Sequence, residues 1–81
     1  MNVLLGESEL RERLLTSNEE YRWLAAEHQS YSDQLAKLAS RHHLSEAEKL
    51  QEVTLKKKKL QLKDQMYAML QRFRKKMESG S

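Results

Sequence analysis

Leu50-Gln51-Glu52-Val53-Thr54-Leu55-Lys56-Lys57-Lys58-Lys59-Leu60-Gln61-Leu62-Lys63-Asp64-Gln65-Met66-Tyr67 decides the fold. It contains neither Pro nor Gly, so nothing in it stops a helix. At ~100° per residue its apolar side chains form two stripes. One holds Val53, Leu60 and Tyr67, with Leu50 at its margin. It belongs to a ladder, Leu50, Val53, Lys57, Leu60, Asp64 and Tyr67, that steps by threes and fours. The other stripe lies nearly opposite and holds Leu55, Leu62, Met66, Met69 and Phe73, flanked by Leu70 and Met77. A helix with two apolar faces is normally buried between two neighbours.

The first half carries a matching ladder: Tyr21, Leu24, His28, Tyr31, Leu35, Leu38 and His42. A short polar break at 42–45 separates the two. Facing heptad seams with a tight connection predict an all-α antiparallel two-helix coiled-coil hairpin. The expected organisation is a flexible arm at 1–7, a hairpin at 8–77 and a frayed tail at 78–81. Helix one spans about 8–41, with re-entry through a kink at 16–18 suggested by a capping box and a continuous helix as the alternative. Helix two spans about 46–77. Ser8 is placed to cap the first turn, and Ser17 with Glu20 forms a capping box. Ser45 with Glu48 forms another, and Glu46 adds charge that suits a helix start.

Eighty-one residues make one small domain, with 33% of them charged and no cysteine. No disulfide or thiolate metal site is available to a core this limited, so self-association is the natural remedy. The second stripe has no intrachain neighbour left to cover it. Leu55, Leu62, Met66, Met69 and Phe73, joined by Trp23, are therefore the expected oligomer interface, giving a dimer or tetramer and a helical bundle.

Three polar residues interrupt the seams. A turn at 42–45 pairs positions whose numbers sum to about 88–92. That sets Leu24 or His28 near Asp64 and Tyr31 near Lys57, an expected polar seam that fixes register; the alternative is that Lys57 reaches outward and Asp64 is simply exposed. Lys49, Lys56, Lys59 and Lys63 share a stripe and are candidate anion contacts. The charge is uneven. Residues 1–45 hold five Lys/Arg against seven Asp/Glu, and residues 46–81 hold ten against five. Nucleic acid is the alternative partner for the basic half, although consecutive lysines fan around a helix and share no single face. A peripheral membrane role through the Met-rich stripe is a third reading.

No apolar run approaches the ~20 residues of a membrane span, and a cytoplasmic location follows by default. The histidines diverge and offer no metal site. A helix pair supplies no cleft or oxyanion donors, so a non-enzymatic interaction or scaffold protein without a cofactor is expected.

Leu14-Leu15-Thr16-Ser17-Asn18-Glu19-Glu20-Tyr21, the Glu27-His28 pair and Leu55 through Tyr67 together resemble the YdcH-like family of small bacterial proteins of unknown function. The likeness covers about residues 8–75. Family members often carry proline where this chain has Asn18-Glu19. The resemblance implies a self-associating helical hairpin and no established activity.

Overall fold

The computed structural model describes residues 6–79. They form three helices and no strand: α1 Glu7–Ser17, α2 Glu19–Ala39 and α3 Glu46–Ser79. The all-α expectation holds, and the first arm divides at the expected kink into two separate helices, so the described residues form three helices rather than two. The arm expected at 1–7 lies outside the described residues up to position 5. The C-terminal helix runs two residues past its expected end.

Asn18 is the reason for the break. Its backbone is extended, with φ −129° and ψ 113°. Its side-chain Oδ1 accepts from the Tyr21 N–H at 2.9 Å, making Asn18 the N-cap of α2. Ser17, expected in that role, instead donates from Oγ to the Arg13 carbonyl at 2.6 Å. Arg22 reaches back and donates to the carbonyls of Leu15 and Thr16 at 3.0 and 3.2 Å. Two of the open carbonyls at the end of α1 are thereby satisfied. At the other end of α1 the cap is Gly6, without a side-chain bond, and not Ser8.

The second capping box forms as the sequence predicts. The Glu48 N–H donates to Ser45 Oγ at 3.1 Å, and the Ser45 N–H donates to Glu48 Oε1 at 2.9 Å. Arg41 pairs with Glu48 and ties the connection to the start of α3.

At ~1.5 Å per residue α3 is about 51 Å long, close to the 54 Å length of the molecule. α2 lies along roughly its first two thirds and runs the opposite way. Ala39 shares a groove with Glu52 and Lys56, while Tyr21 shares a recess with Leu70. α1 packs against both at the end away from the connection. Its Leu10 and Leu14 join Tyr21, Leu24, Leu62, Met69 and Leu70 in one apolar cluster. Tyr31, Met66 and Phe73 pack against that cluster.

This packing reverses the expected use of α3. Leu55, Leu62, Met69 and Leu70 are buried inside the single chain. Leu50, Val53, Leu60 and Tyr67 are exposed. The inward face is a second run at heptad spacing, Glu52, Leu55, Lys59, Leu62, Met66, Met69 and Phe73, and it meets α2 and α1. The assignment of Leu55, Leu62, Met66, Met69 and Phe73 to an interchain interface is corrected accordingly.

The two stripes therefore respond differently to truncation. Leu62→Ala is expected to cost about 2–5 kcal/mol, the range for buried leucine. Leu60→Ala is expected to stay within about 0.5 kcal/mol at concentrations where the chain is monomeric. Urea unfolding followed by circular dichroism checks both; equal losses would contradict the packing.

Candidate functional site

Two surface features emerge from this arrangement. The first is the outward ladder of α3. Leu50 is 68% exposed, Val53 48%, and Leu60 and Tyr67 58% each. Lys57 and Asp64 stand among them, both exposed. Four large apolar side chains at helical spacing on one exposed face exceed the scattered single residues usual on a monomer. Trp23 of α2 adds an indole that is 59% exposed.

The second feature is a cationic groove that opens into a recess. Lys56, Lys59 and Lys63 line the groove on the α3 side, and Ser32, Leu35, Ala36 and Ala39 line it on the α2 side. Lys49 lies apart, near the connection with Leu38 and Ala39, and contacts Glu46 at 3.5 Å. The candidate anion contacts are thus a trio plus one. The four consecutive lysines diverge. Lys56 and Lys59 meet the groove, Lys57 stands in the outward ladder, and Lys58 sits over the Tyr31 ring at 5.9 Å.

The expected polar seam does not form. His28 is half-buried and shares a recess with Asp64. No hydrogen bond or ion pair joins His28, Lys57 and Asp64 among the described residues. Lys57 and Asp64 are solvated because their stripe faces outward. Lys58 takes the place beside Tyr31 that spacing gave to Lys57. Glu52 and Lys59 are the polar residues in the inward run, both half-buried.

The environment of His28 follows from this. Partial burial lowers its pKa, and the positive charges of Lys59 and Lys63 lower it further. Glu48 is also held below its ordinary value, chiefly by the Ser45 backbone hydrogen bond, opposed by its own desolvation and aided by Arg41. Burial raises the Tyr21 hydroxyl.

His42 and His43 are exposed in the connection. Among the described residues no cluster of three or more His, Asp or Glu is placed to hold a metal. No helix among them is long and apolar enough to cross a membrane.

Fold and surface together define a small all-α protein whose exposed features are an apolar helix face and a basic groove. A family model for a protein of unknown function, DUF465, matches residues 22–70, and the chain belongs to that family. The YdcH-like proteins that it resembles are members of the same family. No curated protein and no solved structure matches the chain significantly.

The depressed His28 pKa has a defined consequence. Its folded value lies below its unfolded value, so the neutral form is favoured in the fold. The associated stability is present above the unfolded pKa, near 6.5, and is lost as pH falls through the folded value. Replacing His28 with Gln should flatten the stability profile between pH 7 and 5. Denaturant midpoints across that window check it; an unchanged slope would contradict it.

Proposed function

We propose that the protein is a non-enzymatic helical interaction or scaffold protein that self-associates through the outward ladder of α3. The supporting observation is the exposure of Leu50, Val53, Leu60 and Tyr67 on one face of a 34-residue helix. Burying such side chains gains roughly 1.5–3 kcal/mol each. That is a large increment for a domain whose total stability is about 5–15 kcal/mol. No other described residue buries them.

A second copy fits the ladder by spacing and by charge order. Ladder against ladder matches apolar rungs at the same interval. In an antiparallel pairing Leu50 meets the partner's Tyr67, and Lys57 lies one rung from the partner's Asp64. A parallel pairing stacks Lys57 on Lys57 and Asp64 on Asp64, which disfavours it. Lys56 and Lys63 flank the ladder and repel their counterparts across it, which limits affinity at low salt. The interface proposed is therefore the stripe opposite to the one that the spacing first assigned.

Sedimentation should show a monomer–dimer equilibrium, with stability that rises with concentration. Val53→Lys with Leu60→Lys should yield a folded monomer, because both side chains are already solvated in the single chain. A wild-type chain that stays monomeric at high micromolar concentration would overturn the proposal. So would a double variant that associates as well as the wild type.

A further inference from the structure

Three helices contribute basic side chains to one recess of about 430 Å³. Arg11 comes from α1, His28 from α2, and Lys59 and Lys63 from α3. Two carboxylates share the site, Glu7 on α1 and Asp64 on α3. Glu7 contacts Arg11 at 3.8 Å, with each side chain more than half exposed, at 56% and 53%. That is a loose pair of the kind that contributes little. Lys59 and Lys63 make no ion pair among the described residues. The recess also has apolar walls in Met66 and Leu70 and two phenol rings, Tyr21 and Tyr67.

We propose that this recess binds the phosphate group of a small ligand, held by Arg11, Lys59 and Lys63 with His28 beside it. Arg11, Lys59 and Lys63 stand against Glu7 and Asp64, an excess of one positive charge that favours an anion. A guanidinium fork and two ammonium point charges approaching from different helices suit tetrahedral oxygens. The volume lies in the range of small-molecule sites and exceeds a bare phosphate. The apolar walls give room for an organic remainder, so a phosphate ester and free phosphate are both sources of the group.

The positive crowding around His28 is the electrostatic counterpart of this geometry, since Lys59 and Lys63 act on it through space after burial has had its effect. It also provides the readout. A bound phosphate offsets the lysine charges and raises the pKa of His28. His42 and His43 lie at the far end of the molecule, in the connection, and serve as internal controls.

The test is a histidine NMR titration of the wild-type chain, kept dilute so that it is monomeric. The probes are inorganic phosphate and phenyl phosphate, each against sodium chloride at matched ionic strength. The expected result is a saturable upward shift of the His28 pKa with phosphate, absent at His42 and His43. Tighter saturation by phenyl phosphate identifies an ester as the ligand, and equal saturation identifies the free ion. Lys59→Gln or Lys63→Gln should weaken binding by about tenfold, as loss of a charge-assisted contact does, with helicity unchanged by circular dichroism. Equal shifts at all three histidines, or a His28 response no larger than with chloride, would overturn the proposal. So would full affinity in a folded Lys63→Gln variant.

Discussion

Keeping Lys57 and Asp64 in water is the constraint on which the structure depends. α3 has two apolar stripes, and α2 can cover only one. The stripe with Val53, Leu60 and Tyr67 carries both charges in its middle. Turning it inward would desolvate an ammonium and a carboxylate, at an effective cost of several kcal/mol per ion. Choosing that stripe would recover no more than the roughly 1.5–3 kcal/mol that each apolar side chain gains on burial. The opposite stripe buries Leu55, Leu62, Met69 and Leu70, and its two charged residues, Glu52 and Lys59, line the open groove. A long lysine stem along apolar surface with a wet ammonium costs little.

The remaining features follow from that choice. With α3 facing inward through its second stripe, the cluster around Met69 and Leu70 extends past the start of α2 and needs cover there. α1 supplies it. Asn18 breaks the helix, caps α2, and lets Leu10 and Leu14 join the cluster. The same turn brings Glu7 and Arg11 to the recess that holds His28, Lys59 and Lys63. The cationic groove and the outward ladder are thus both by-products of one packing decision. Basic and apolar surface is exposed because charged residues could not be buried.

Much of this was legible in the sequence. The ladder of α2 marks its inward face: Tyr21, Leu24 and Leu38 are buried, and His28, Tyr31 and Leu35 are half-buried. Only its last rung, His42, falls beyond the helix. The Ser45–Glu48 box is present as drawn. Spacing and polar content alone select the wrong face of α3, because the polar rungs of its outward ladder match those of α2. Desolvation cost, not symmetry of pattern, decides between stripes of equal period. The competing run from Glu52 to Phe73 was visible at unbroken heptad spacing. The α1–α2 break falls within 16–18 as expected, but Ser17, which completes a capping box by spacing, stays in α1, and Asn18 is the residue that leaves the helix. Arg11 had no sequence signal at all; only the fold of α1 brings it to His28.

The inward face of α3 is tested most directly by solvent paramagnetic relaxation of the leucine methyl groups, with a soluble gadolinium probe and dilute protein. The account predicts strong broadening at Leu50 and Leu60 and protection at Leu55, Leu62 and Leu70, along with Leu10, Leu14 and Leu24. Protection of Leu50 and Leu60 with broadening at Leu55 and Leu62 would contradict it.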